Sequence, residues 1–97
     1  MGMETLGPKT VLVVEDDDAT QIWQATVLQR EGYAVVSAAN GREALDCLRQ
    51  GPVPDLVMLD MLMPVLDGWH FLEQLRQTGP AASVPVLITT ATILTRE

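Results

Sequence analysis

Apolar runs and the breaks between them divide the chain into alternating short and long segments. Thr10–Val14 is short, β-branched and continuously apolar, the pattern of a strand covered on both faces. After four acidic residues the pattern predicts a helix from about Ala19 to Glu31. Asp17 or Asp18 can cap it, and Gly32 ends it as a C′ residue. Ile22, Ala25 and Leu28 are expected to share its buried stripe. Tyr33–Ala38 reads as a second strand. Asn40-Gly41 turns into a helix carrying Ala44, Leu45 and Leu48, which Gly51-Pro52-Val53-Pro54 breaks. Asp55–Leu59 reads as a third buried strand with Asp60 at its end. Asp67-Gly68 opens a third helix, with Trp69, Leu72 and Leu75 at helical spacing. Val84–Thr89 is a fourth strand, after a Gly79-Pro80 break.

Strands alternate with helices, so the expected class is α/β, a doubly wound parallel sheet with helices on both faces. Residues 1–9 read as a flexible lead-in and residues 10–97 as one domain. In the usual strand orders, four strands and three helices leave an apolar edge strand unpaired.

Composition narrows the function. With 97 residues and 47% hydrophobic content, the chain is one globular domain rather than a disordered segment. Its apolar runs fall far short of the roughly 20 residues that cross a bilayer. One cysteine, Cys47, excludes an intramolecular disulfide and points to a reducing cytoplasm. A net charge of −7 argues against a direct nucleic-acid surface. The position of the carboxylates is therefore the informative feature.

In a parallel sheet the carboxyl ends of all strands lie along one edge, where ligands bind at the point of reversed strand order. The first strand delivers Glu15 and Asp16 to that edge and the third delivers Asp60. If those strands are neighbours, three like charges converge and at least one pKa must rise. A divalent cation resolves the conflict. All-oxygen ligands point to a hard ion, and few protein ligands point to magnesium. No Cys or His sits at ligand spacing for zinc. A carboxylate beside such an ion can also act as a nucleophile toward phosphorus. The fourth strand brings Thr89 and Thr90 to the same edge, and alternation turns only one hydroxyl toward the site.

These residues resemble the response-regulator receiver family (CheY-like, flavodoxin-like fold). Val11-Leu12-Val13-Val14-Glu15-Asp16-Asp17 matches its apolar strand ending in an acidic pair. Asp60-Met61-Leu62-Met63-Pro64, then Asp67-Gly68, matches its acceptor loop. Pro85-Val86-Leu87-Ile88-Thr89-Thr90-Ala91 matches its strand ending in Thr-Ala. The segments Gly32–Val36 and Ala39–Leu45 also fit in order and spacing.

The resemblance implies two-component phosphorelay signalling rather than an enzyme. Asp60 would accept a phosphoryl group from a histidine kinase or a histidine phosphotransfer protein. Asp16 and Asp60 would bind magnesium directly, Glu15 mainly through water, and the Leu62 backbone carbonyl would add an oxygen. Thr90, preceding Ala91, would be the switch hydroxyl. Pro64 fixes φ after the acceptor loop and Gly68 relaxes a helix start.

Two departures from the family pattern stand out. The family's Lys on a fifth strand has no counterpart, the only Lys here being Lys9, and the aromatic switch residue of that strand is missing too. The chain thus reads as lacking the last α-β-α portion, through truncation, disorder or a natural end; if it ends here, a homodimer or swapped dimer through the bare strand edge is expected. One alternative is a receiver-shaped interaction module that is never phosphorylated. Another is a haloacid-dehalogenase-type phosphatase, because Asp16-Asp17-Asp18-Ala19-Thr20 fits an Asp-x-Asp-x-Thr motif. His70 reads as a helix-surface residue, Cys47 as small packing, and Trp23 and Trp69 as partial core or interface aromatics.

Overall fold

A computed structural model describes residues 7–60, 68–77 and 79–89. Four strands form one parallel sheet: β1 (Thr10–Val14), β2 (Ala34–Ala38), β3 (Leu56–Asp60) and β4 (Val86–Thr89). Their spatial order is β2-β1-β3-β4, with every pairing parallel. Between them run α1 (Asp18–Arg30), α2 (Gly41–Gln50) and α3 (Gly68–Leu75), and a 3-10 turn at Gly79–Ser83 precedes β4. This is the doubly wound architecture expected from the alternation, with the order reversing between β1 and β3.

β1 is paired on both edges and covered on both faces, and the second is why a wholly apolar segment suits it. Val11, Leu12, Val13 and Val14 are all buried. Alternation sends Leu12 and Val14 to one face and Val11 and Val13 to the other. On the first face they join Val57 and Leu59 of β3, Ala44, Leu45 and Leu48 of α2, and Phe71 and Leu75 of α3. Right-handed crossovers place α1 on the opposite face from α2 and α3, because β1→β2 and β2→β3 run in opposite directions across the sheet.

Local signals set the helix ends. Asp17 caps α1, its carboxylate accepting from the Thr20 N–H at 2.8 Å and the Thr20 hydroxyl at 2.7 Å. At the other end Gly32 adopts φ 95°, with its N–H donating to the Gln29 carbonyl and the Tyr33 N–H to the Leu28 carbonyl. That pair of bonds is a Schellman closure, which requires a left-handed residue at C′. Asn40 caps α2 through the Glu43 N–H at 2.9 Å, and the Glu43 carboxylate returns to the Ala39 N–H.

Two expected faces are corrected. Ile22 does not join the buried stripe of α1; it is 65% exposed, and no residue of α1 is fully buried. Besides Thr20 in the first turn, the half-buried positions are Gln21, Gln24, Ala25 and Leu28, a stripe at i, i+3, i+4, i+7 that Ile22 misses by about a third of a turn. On α3 the buried pair is Phe71 and Leu75, four apart, with Leu72 packed beside them. Trp69 lies on the far side and is 71% exposed, and Trp23 on α1 is 66% exposed.

Because Phe71 sits wholly inside the closed face, Phe71→Ala should lower the unfolding free energy by about 3–5 kcal/mol in urea titrations. Ile22→Ala should change it by under roughly 0.5 kcal/mol. Comparable losses for the two would contradict this division of the core.

Candidate functional site

The β1–β3 register decides what meets at the carboxyl edge of the sheet. Val14 stands opposite Leu59, so the next residues, Glu15 and Asp60, leave the sheet side by side. One carboxylate oxygen from each of Glu15, Asp16 and Asp60 lies within 4.8 Å of the other two. The three carboxylates expected to converge are brought together. Their environments differ: Glu15 is 7% exposed, Asp60 half-buried and Asp16 exposed.

Burial pushes the Glu15 carboxyl up from its ordinary 4.5 to about 7. The Asp17 N–H, donating to Glu15 Oε2 at 3.1 Å, pulls it down, whereas Asp60 and Asp16 push it up. Burial and the two neighbouring acids thus both disfavour a charge on Glu15. Asp17 takes no part in it. Its carboxylate is turned to Thr20, and the two hydrogen bonds from that residue hold it below the usual carboxylate range. Asp18 is the first residue of α1, where an acid suits the positive end of the helix dipole. The Asp-x-Asp-x-Thr spacing is thus used in starting a helix.

Thr89 ends β4 opposite Asp60, and its hydroxyl makes a long 3.4 Å contact to the Leu59 carbonyl. Gly68 is the first residue of α3. Leu62, Pro64, Thr90 and Ala91 lie outside the described residues. His70 is exposed on α3, and Cys47 is half-buried beside an apolar cavity of about 280 Å3 that contains no acidic residue. That cavity includes Thr10 and Pro54, toward the opposite edge of the sheet.

Sequence reasoning missed Gln21. Its side-chain amide donates to the Glu15 carbonyl at 3.0 Å and the Ala38 carbonyl at 3.1 Å. No periodicity marks this, because a glutamine on a helix reads as a solvated residue.

Comparison with known proteins agrees with this geometry. The family described as the response regulator receiver domain matches residues 11–95. The chain is 44% identical over 84 residues to the response regulator MprA of Mycolicibacterium vanbaalenii, covering 87% of this chain and 35% of that protein. It is also 44% identical over 75 residues to the sensor kinase CckA of Brucella abortus, covering 76% of this chain and 8% of the kinase. It thus spans about a third of the first and a small part of the second. Among solved structures, the chemotaxis protein CheY4 of Vibrio cholerae superposes with a TM-score of 0.80 at 32% identity, covering 84% of this chain and 68% of that one.

A carboxyl with a raised folded-state pKa holds its proton more tightly when folded. Its stabilising effect is complete below about 4.5 and is lost as pH rises through about 7. In metal-free buffer the wild type should therefore lose on the order of 2 kcal/mol relative to Glu15→Gln between those pH values. Urea titrations at several pH values check this, and parallel curves would overturn it.

Proposed function

The chain belongs to the response-regulator receiver family, and from that premise we propose that it accepts a phosphoryl group on Asp60 with magnesium at the adjoining carboxylates. Receiver domains are signalling modules of two-component systems. The single observation that carries the proposal is the convergence of Glu15, Asp16 and Asp60 within 4.8 Å.

The donor set fits magnesium. It is all oxygen, contains no His or Cys, and includes a buried carboxyl pushed up to about 7 that an added positive charge would relieve. Asp16 and Asp60 would hold the ion directly, Glu15 through water, with the Leu62 carbonyl completing the protein's share. When bound, the ion would offset charge on the transferring phosphoryl group. Asp60 does the covalent work: its carboxylate oxygen bonds to phosphorus as the P–N bond of a donor phosphohistidine breaks, the electron pair passing to the imidazole. The donor is a histidine kinase or phosphotransfer protein. The Thr90 hydroxyl and the Ala91 region would then meet the phosphoryl oxygens, while Pro64 and Gly68 shape the acceptor loop. No helix among the described residues is long and apolar enough to cross a membrane, and the proposed setting is the cytoplasm.

Asp60→Asn should abolish labelling by radioactive acetyl phosphate, while Asp16→Asn should weaken labelling through lost magnesium binding. Labelling that survives Asp60→Asn and disappears only with Asp16→Asn would instead support the phosphatase reading. If neither magnesium nor beryllofluoride changes the fluorescence of Trp23 and Trp69, the chain is an interaction module that is not phosphorylated.

The apolar β4 edge extends the proposal to a homodimer. Leu87 and Ile88 are about half exposed there, so light scattering should detect dimers, and a monodisperse monomer would exclude them.

A further inference from the structure

Asp16 is the exposed member of the cluster, so core packing does not fix it. Its position depends on the two peptide planes beside it. The plane joining Asp16 to Asp17 is held by the Asp17 N–H, which donates to Glu15 Oε2 at 3.1 Å. The plane joining Glu15 to Asp16 contains the Glu15 carbonyl, and that oxygen accepts from Gln21 at 3.0 Å. Because a peptide unit is rigid, holding the carbonyl also orients the N–Cα bond of Asp16.

The location of Gln21 explains why such a clamp is needed. The β1–β2 ladder ends at Val14 and Ala38, followed by one more bond from the Glu15 N–H to the Ala38 carbonyl at 3.0 Å. Beyond it the strands separate, β1 toward α1 and β2 toward α2. Gln21 reaches back from the start of α1 and donates to both the Glu15 and Ala38 carbonyls, bridging the point of separation. Both partners are acceptors, so only the amide NH2 can face them. Both distances are ordinary for N–H···O bonds.

We propose that Gln21 is a positioning residue for the carboxylate site, fixing the Glu15–Asp16 peptide plane and through it the Asp16 carboxylate. Its effect on metal binding rests on the phosphoacceptor reading above; the clamp itself does not. A cation that draws the Glu15 carboxylate toward itself competes with the Asp17 N–H, whereas the Gln21 bond is made to the backbone and persists. Gln21 thus keeps the acidic segment in place in both conditions.

The test uses Gln21→Met, which keeps length and removes both donors, with Gln21→Ala as a second variant. Asp55→Ala is the control, because it removes a 2.8 Å anchor to the Thr10 N–H at the opposite edge of the sheet. In metal-free protein, amide hydrogen exchange at Glu15 and Asp17 should quicken several-fold in the Gln21 variants while Val13 stays protected. Manganese affinity by titration calorimetry should weaken about ten-fold, the size seen when partners behind metal ligands are removed. Asp55→Ala should lower the melting temperature and leave exchange at Glu15 and Asp17, and the manganese affinity, unchanged.

Unchanged exchange at Glu15 and Asp17 in the Gln21 variants overturns the proposal, and so does faster exchange with undiminished affinity. A wild-type chain that binds no manganese overturns the cation reading instead, and the clamp is then decided by the exchange result alone.

Discussion

Three carboxyl groups with oxygens held within 4.8 Å of one another are the constraint around which this chain is organised. At an effective dielectric of about 20, each pair of full charges at that separation repels by roughly 3–4 kcal/mol. Side chains free to move would separate. They stay together because Glu15 and Asp60 continue two adjacent strands whose register is fixed by buried apolar residues. Moving β3 by one position would turn Val57 and Leu59 away from the closed face and bring Leu56, Met58 and Asp60 toward it. The apolar core thus enforces an electrostatic arrangement that its acidic members oppose. The raised pKa of Glu15 reflects both, burial first and then the neighbouring Asp60 and Asp16.

The four consecutive acids divide this burden. Glu15 and Asp16 belong to the cluster. Asp17 is satisfied by Thr20 and starts α1, and Asp18 lies in the first turn beside the helix's positive end. The single peptide bond between Asp16 and Asp17 therefore separates the acids that repel from the acids that stabilise. An Asp-x-Asp-x-Thr spacing follows from this division without any phosphatase chemistry, since its last two members serve helix capping and dipole compensation.

Much of this was legible in the sequence because period-two and continuous apolar runs are strong signals. The four strands, their parallel arrangement, the buried residues of α2 and the meeting of Glu15, Asp16 and Asp60 all follow from where apolar runs stop. The faces of α1 and α3 were less legible. Hydropathy alone puts Ile22 inward, yet Gln21 takes the sheet-facing position, where its amide donates to two strand-end carbonyls. On α3 the choice between Trp69 and Phe71 depends on packing against Leu45, Leu48 and Leu59, which spacing within one helix does not encode. The parts of the site drawn from resemblance alone, Leu62, Pro64, Thr90 and Ala91, fall outside the described residues.

The two faces of the sheet are held by different forces, and the site lies where they meet. On the α2–α3 side, Leu12, Leu59, Phe71 and Leu75 are closed off from water, so opening that side exposes a large apolar area. On the α1 side the helix contributes no fully buried residue. Its hold comes from half-buried Ala25 and Leu28, its two caps and the Gln21 amide. Local opening should therefore cost less at α1 than at β3. Asp60 stands on the rigid side of this boundary, at the end of a packed strand, while Glu15 and Asp16 stand where the packed strand gives way to the polar-anchored helix. A charge arriving at the cluster acts on both at once. Asp60 has little freedom to respond, so adjustment falls on the Glu15 side chain and its bond from the Asp17 N–H, while the Gln21 bond holds the backbone.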